Sequence, residues 1–598
     1  MKKRMLAIVS MLVALVFVFT ACGSTSQNVP GTTSTSAEAS SAPAPATAEQ
    51  AATEETKAEE AGKIAATEIL KAEAPDKLPA SVNNRKDTLI VGITAPEGKF
   101  TPINSSSKYD SYVCDLVFDP LLFNDEQGKP IPWVAEKYEI SPDGKTYTFY
   151  IKKGIKYSSG DELTAEDVAF TYTAICDPKY DGMRSDSVSG LVGYKEYHDG
   201  DAAEVAGIKV IDPNTVSFTF ENVNSGALLN SFTNTYGIMS KKYYGFEKGH
   251  ADKLKDFFLK PMGTGPYLFK EYKTGQEISF EKNPNYWARE IKIPKVIMKV
   301  TDATTNIQEL VTGSTDIDRI PAKPENITML KNAGFIDMQL FPENGFGFIG
   351  LNLKNDLFTD VKVRQALMYG LNRQGFIDSY YKGYSQVCNV PIATVSWAYT
   401  DKVEKYDYNP DKANQLLDEA GWAKNSDGFR YKDGKKFTIH WMTYTGSKYV
   451  ETLIPIVKDN WGKLGIEVIP ELMEFSTLTG KVFDEQKFEM FNMAWSLSLD
   501  PDPSGLFSKE QTALGGSNCG SWVNEESEKL MEDGLLETDQ AKRQEIYQKW
   551  AIVANRELPY IYLNVNKEMW AVSDRVKGLV ISPFIEWTYL VRQAELAN

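Results

Sequence analysis

The most restrictive pattern in this chain lies between residues 437 and 472. "FTIHWMTYT" reads as a strand, Ser447 to about Leu464 as a helix that stops at Gly465, and "IEVIPEL" as the next strand. Strands joined through a helix in this way run parallel with a right-handed crossover. Antiparallel signals occur as well. "KYEISPDGKTYTFYIKKGIKYSSG" alternates apolar and polar residues around Asp143-Gly144, and "MGTGPYLFKEYKTGQEISFEKNPNYW" gives two strands about Thr274-Gly275. The chain therefore reads as a large mixed α/β protein.

Order should begin with the apolar run Asp87 to Ile93, a buried strand, followed by a helical period in "YDSYVCDLVFDPLLF". Thr164 and Asp167 make a capping-box start for a helix that turns Val168, Phe170 or Tyr172, and Ile175 to a core. "YNPDKANQLLDEAGW" is bounded by Asn409 as N-cap, Pro410 in the first turn and Gly421 just past the end. No fixed-period repeat interrupts this succession.

The amino-terminal region reads differently. Lys2, Lys3 and Arg4 precede an apolar run from Met5 to Phe19 and small residues around Cys22, the layout of an export signal over residues 1–21. That run is short for a membrane span, which takes about 20 apolar residues. From Cys22 to about Lys86 the chain is rich in Ala, Ser, Thr, Pro and Glu and reads as a disordered tether, with at most a short helical patch in "EETKAEEAGKIAATEILKAE".

Charge and chemistry-bearing residues narrow the function. A net charge of -16 argues against a nucleic-acid partner. The three histidines, His198, His250 and His440, stand far apart, which leaves little material for a metal site or a hydrolytic triad. No GxSxG elbow, GxGxxG turn or P-loop occurs: Gly144-Lys145-Thr146 would need glycine at 139, where Glu139 stands. Cys114, Cys176, Cys388 and Cys519 make no metal spacing and leave two disulfides or four buried thiols open. "WSLSLDPDPSGLF" places Asp500, Asp502, Ser504 and Gly505 like the start of a calcium loop, but Gln511 occupies the position of the closing glutamate. Asp500 and Asp502 then read first as turn-capping carboxylates and second as ligand contacts. No catalytic residue, cofactor or metal ligand is expected, and the chain reads as a non-enzyme.

Several segments together resemble the family 5 extracellular solute-binding proteins of bacterial ABC importers, from about residue 87 to the end. They are "FDPLLF", "EISPDGKTYTFYIKKGIKYSSGDELTAEDVAFTY", "GTGPYLF", "NPNYW", "ELVTGSTDID", "GFIGLNLKNDLFTDVKVRQALMYGLNRQGFI", "YNPDKANQLLDEAGW" and "DPDPSGLF". "FTAC" is similar to a lipobox, with Phe19 where Leu is usual, which implies lipid on Cys22 and a place on the outer face of the cytoplasmic membrane. The resemblance implies a two-lobed periplasmic-binding-protein clamp with mixed sheets and two interlobe crossings. Lobe 1 would span about 87–345 and 561–598, with an extra subdomain near 127–255, and lobe 2 about 346–560.

The same resemblance implies a monomer that captures oligopeptides and delivers them to permease and ATPase subunits. An oligosaccharide or another solute, or a peptide-sensing role, fits the same scaffold, and a secreted hydrolase fits it less well. In peptide-binding relatives the strand before the DP turn pairs with the ligand backbone, and a nearby aspartate receives the terminal ammonium. Here Trp495, Ser496 and Leu497 occupy the strand, while Ser498 or Leu499 stands in the acid's place. Aromatic candidates for pocket walls are Tyr109, Tyr112, Phe346, Trp397, Tyr399, Tyr444 and Trp495, with Trp397 and Tyr399 the preferred pair.

Overall fold

The computed structural model describes residues 67–234 and 236–597. The signal segment, Cys22 and most of the expected tether lie outside the described residues. One part of that expectation changes. Glu68–Leu70 forms a strand, β1, and Val82 is buried. The segment is held because β1 pairs antiparallel with Met338–Leu340, while Lys71 meets Asp337 at 2.9 Å and Lys567 meets Glu68 at 3.0 Å.

Along the chain follow β2 (Thr88–Ile93), α1 (Lys108–Val117), β3 (Ala135–Ile140), β4 (Thr146–Ile151), α2 (Ala165–Cys176), β5 (Ile208–Asp212) and β6 (Thr215–Thr219). Next come β7 (Tyr267–Lys273), β8 (Glu277–Lys282), β9 (Lys295–Val300), β10 (Ile317–Arg319), β11 (Ile336–Pro342) and β12 (Gly345–Leu351). The remainder contributes α3 (Pro410–Glu419), β13 (Thr438–Tyr444), α4 (Lys448–Lys463), β14 (Glu467–Met473), β15 (Met490–Ser496), α5 (Glu525–Leu536), α6 (Gln540–Glu557) and β16 (Tyr560–Ser573). Strands β3 to β6 make a separate four-stranded antiparallel sheet.

Local signals account for many of these elements. Gly144 at φ 71° and Gly275 at φ 71° turn the two hairpins, a backbone region that glycine enters without strain. The α2 capping box is complete, and of the two aromatic alternatives Tyr172 is the fully buried one. β13 and β14 are parallel in register over Thr438–Tyr444, with α4 as their crossover. All four described cysteines are free and buried.

The main sheet runs β14-β13-β15-β12-β16-β10-β2-β9-β8-β7. It serves two cores. Leu89, Val91, Leu116, Phe149, Tyr172, Phe341 and Trp570 belong to the first, whereas Phe348, Trp441, Trp461, Trp550 and Tyr562 belong to the second. β16 joins them: Tyr560–Asn564 pairs with β12, and Lys567–Ser573 pairs with β11. Because Tyr560–Val565 packs in the second core, the crossing falls at Asn566–Glu568, slightly later than the expected position near 561.

The first core is tied together by one carboxylate. Asp119 of "FDPLLF" is fully buried and accepts from Trp133 Nε1 and Trp287 Nε1 at 2.9 Å, from Thr264 Oγ1 and Tyr286 OH at 3.2 Å, and from Arg592 Nη2 at 3.3 Å. Thr264 belongs to "GTGPYLF" and Trp287 to "NPNYW", so three separated motifs meet at one atom group. The glycines of the middle motif permit the approach: Gly265 N–H bonds Val117 O at 2.8 Å, and a Cβ there would stand 2.5 Å from the Val117 carbonyl carbon. Asp119→Ala would leave Arg592 buried without its counter-charge. Urea unfolding should show a loss of about 3–5 kcal/mol, and a loss below about 1 kcal/mol would refute this role.

Candidate ligand-binding cleft

Two chain crossings form the floor between the cores. β11 and β12 are buried throughout, but the Glu343-Asn344 pair between them is half-buried. β16 repeats the pattern, buried at both ends and half-buried at Asn566, Lys567 and Glu568. The crossings touch, since Glu343 N–H donates to Asn566 O at 2.9 Å. Backbone that moves between two rigid cores at so few residues is a natural hinge.

A charged cluster stands on this floor. Arg319 meets Glu568 at 3.0 Å and Glu343 at 3.3 Å, and Lys108 meets Glu586 at 2.8 Å. Tyr112 OH donates to Glu586 at 3.3 Å, and Tyr109 packs edge-on against Tyr112. The Lys108 side chain is 42% exposed and that of Arg319 40%, so both can be reached by a ligand. Burial opposes charge on Lys108, yet Glu586, Tyr112 and Glu568 hold its ammonium well above its ordinary value. Burial raises the Glu343 carboxyl against the pull of Arg319, while Glu568, facing Arg319 and Lys108, stays below its ordinary value. Two cations, Lys108 and Arg319, thus face three carboxylates, Glu343, Glu568 and Glu586.

The second core contributes an open strand edge. β15 pairs along its whole length with β12, but with β13 only at Met490 and Phe491. Leu497 N–H bonds Asn344 O and Asn352 N–H bonds Glu489 O, both at 2.9 Å, so odd-numbered residues of β15 exchange hydrogen bonds with β12. Ala494 and Ser496 consequently aim their N–H and C=O groups at the other edge, where no strand pairs with them among the described residues. The chain then enters a small separate apolar cluster, where Leu497 and Leu499 pack with Ala393, Val395 and Phe584. A further contact bridges the cores where Ser225 N–H bonds Leu535 O at 3.1 Å.

The sequence-derived aromatic and strand candidates separate into three groups. Tyr109, Trp495, Ser496 and Leu497 border the cleft: Trp495 is half-buried and stacked 5.9 Å from Phe348, and Ser496 is exposed. Phe346 and Tyr444 belong to the second core, Phe346 against Phe348 and Tyr562, Tyr444 against Phe475. Trp397 lies over the Arg543 guanidinium at 5.7 Å, and its carbonyl accepts from Gln544; the Tyr399 carbonyl accepts from Gln548 at 3.1 Å.

Asp500 takes the structural role that was its first reading, not the ligand contact that was its second. Both of its oxygens accept from Arg543, at 2.6 and 2.7 Å, and its side chain is fully buried, so its charge is spent on the guanidinium and does not face a ligand. Asp502 accepts from Ser504 N–H at 3.1 Å, and Asp500 Oδ1 accepts from Asp502 N–H at 3.0 Å, so both carboxylates cap the turn. Lys108, Arg319, Glu343, Glu568 and Glu586 escaped sequence reasoning because they come from four distant segments. For Glu343 and Glu568 the signal was the polar interruption of two apolar runs, "FPENGFGF" and "NVNKEMW".

A fold of two cores on one shared strand, hinged at two crossings and carrying a polar cleft, defines a clamp-type solute-binding protein. The family described as bacterial extracellular solute-binding proteins, family 5 Middle, matches residues 129–513, and this chain belongs to it. It is 30% identical over 508 residues to the oligopeptide-binding protein AppA of Bacillus subtilis, covering 83% of this chain and 89% of the relative. It is 27% identical to heme-binding protein A of Haemophilus influenzae, covering 76% and 82% of the two chains. The solved structure of Bacillus subtilis AppA in complex with a nonapeptide superposes with a TM-score of 0.67 at 29% identity, covering 86% of this chain and 99% of that one.

The Asp500 assignment separates the two aspartates experimentally. Asp500→Ala leaves Arg543, 5% exposed at its side chain, without its counter-charge and should cost about 3 kcal/mol or more in chemical unfolding. Asp502→Ala removes turn hydrogen bonds and should cost roughly 1 kcal/mol. Equal losses would contradict the assignment.

Proposed function

We propose that this protein captures oligopeptides in the cleft between its cores and delivers them to the permease and ATPase subunits of an ABC importer. The observation that carries this reading is the open edge at Ala494 and Ser496, because a peptide can add there as a strand. Main-chain hydrogen bonds then supply affinity for many sequences, with side chains left to hydrated pockets. Closure follows ligand binding because only the closed form presents both walls to the peptide. The protein acts as a monomeric receptor and performs no chemistry. Its lobes divide at the crossings, near 343–344 and 566–568, with the four-stranded sheet as a subdomain of the first. The nonapeptide named for the AppA structure supports peptide as the ligand class. The heme-binding name of the Haemophilus relative supports a second reading, a non-peptide solute in the same clamp.

Mass spectrometry of ligand released from the lipid-free protein, Ser24 onward, should reveal a ladder of mixed peptides. A single non-peptide species would favour the second reading. Ser496→Pro removes one outward N–H without touching the pairing to β12, so it should leave stability within roughly 1 kcal/mol while lowering peptide retention about tenfold. Unchanged retention would argue against strand addition at this edge.

We also propose that Cys22 carries lipid and tethers the protein to the outer face of the cytoplasmic membrane, on the strength of the basic, apolar and small-residue succession before it. Cys22→Ser should move the protein from the membrane fraction to the soluble exported fraction. Persistence in the membrane would indicate a different anchor.

A further inference from the structure

A helix leaves its last carbonyls without partners of its own, and the carboxy-terminal end of α5 satisfies its carbonyls in an unusual way. The Asp533 carbonyl accepts from Glu537 N–H at 3.0 Å, as a helix cap does. Those of Gly534 and Leu535 find partners outside the helix. Gly534 O accepts from Arg543 Nε at 2.8 Å and from Ser225 Oγ at 3.0 Å, one bond for each of its lone pairs, and Leu535 O accepts from Ser225 N–H at 3.1 Å. Ser225 stands between Phe220 and Ala227 of the first core, whereas Met531 of α5 belongs to the second. One residue thus closes two hydrogen bonds across the cleft.

Both sides are fixed before they meet. On the first-core side, buried Tyr147 donates its hydroxyl to Asn224 O at 2.7 Å. The Gly144 turn also reaches the contact: a Cβ there would stand 3.2 Å from Val223 Cγ1 and 3.6 Å from Thr538 Cγ2 of the opposite core. On the second-core side, Asp500 holds the Arg543 guanidinium whose Nε holds Gly534, and a Cβ on Gly534 would stand 2.3 Å from Tyr547 Cε1 of α6. Groups held in place in this way lose little freedom when they dock. Behind the contact lies a cavity of about 270 Å³, walled by Asp115 and Arg184, by Leu229 and Asn230 from the segment after Ser225, and by Leu499. Nearer the crossings, Phe584, whose carbonyl accepts from Asn124 Nδ2 at 2.7 Å, seats among Ala393, Val395, Leu497 and Leu499.

We propose that Ser225, docked on the carboxy-terminal end of α5, is a latch that holds the two cores closed through the protein's own groups, with Asp500 and Arg543 as the positioning pair beneath it. The proposal rests on the clamp reading of the cleft and does not need peptide as the ligand. Opening returns the Ser225 N–H and O–H and two carbonyl lone pairs to water. The latch therefore favours the closed form equally for every solute. It sets the closed-to-open ratio and the rate at which a bound solute leaves, while contacts with the solute set which one is chosen.

The test uses the mature protein, Ser24 onward, with Lys209→Cys on β5 and Lys529→Cys on α5 as dye sites. Both positions are exposed and the four cysteines of the folded cores are buried, so the dyes go to the introduced thiols. Single-molecule energy transfer on protein stripped of ligand by unfolding and refolding reads the closed-to-open ratio. Ser225→Pro, which removes both donors, should lower that ratio about tenfold, and Ser225→Ala, which removes the hydroxyl alone, about threefold. Asn222→Ala, exposed and outside the latch, should leave it unchanged. An unchanged ratio in the Ser225 variants, or an equal fall in Asn222→Ala, would overturn the latch. Should Ser225→Pro not fold, Ser225→Ala against Asn222→Ala decides. Peptides retained by the unaltered protein should leave Ser225→Pro about tenfold faster; faster release with an unchanged ratio would make Ser225 a ligand contact and also overturn the latch. A protein that retains no peptide refutes the peptide reading alone, since the energy-transfer comparison needs no ligand.

Discussion

Strand β16 is the constraint on which the architecture depends. A single run of fourteen residues supplies hydrogen-bond partners to the sheets of both cores, so neither sheet is complete without the other. Its two ends are buried and its middle is not. Wherever one strand must leave one core and enter another, its central residues lose packing neighbours on their faces, and polar side chains are tolerated there. The cleft, the hinge and the charged floor are thus consequences of one strand being longer than either core is wide.

Two of the buried ion pairs among the described residues, Arg592–Asp119 and Arg543–Asp500, hold distant segments in one arrangement. Asp119 gathers donors from five side chains and fixes the carboxy-terminal segment, through Arg592, to the first core. Asp500 and Arg543 lock the loop after β15 against α6. Charges taken out of water are stable only when fully paired, and full pairing demands a defined geometry. The second pair therefore sets the direction in which the chain leaves β15, and with it the position of Leu499 at the interlobe cavity.

Much of the fold was legible because it rests on local physics. The hairpins at Gly144 and Gly275, the capping box at Thr164, the helix bounded by Asn409 and Gly421, and the parallel pair around α4 all follow from period, turn chemistry and caps. The motifs "FDPLLF", "GTGPYLF" and "NPNYW" were legible as a resemblance. Their reason, a shared bond network around Asp119, was not, since it joins residues well over a hundred positions apart. β1 was missed for a related cause: a short polar-flanked segment becomes a strand only when an existing edge, here β11, accepts it.

The cleft residues divide along the same line. Trp495, Ser496 and Leu497 could be placed from the strand pattern, because alternation and the following turn are properties of neighbouring residues. Phe346 and Tyr444 read equally well as pocket walls or core, and only packing assigned them to the core. The sequence by itself determined the element types, their order, the export-signal pattern and the absence of familiar catalytic motifs, all of which depend on near neighbours. Tertiary structure alone decided which carboxylates are spent on arginine and which face the cavity. Charge availability is a property of what surrounds a side chain in space, and chain order does not encode that locally.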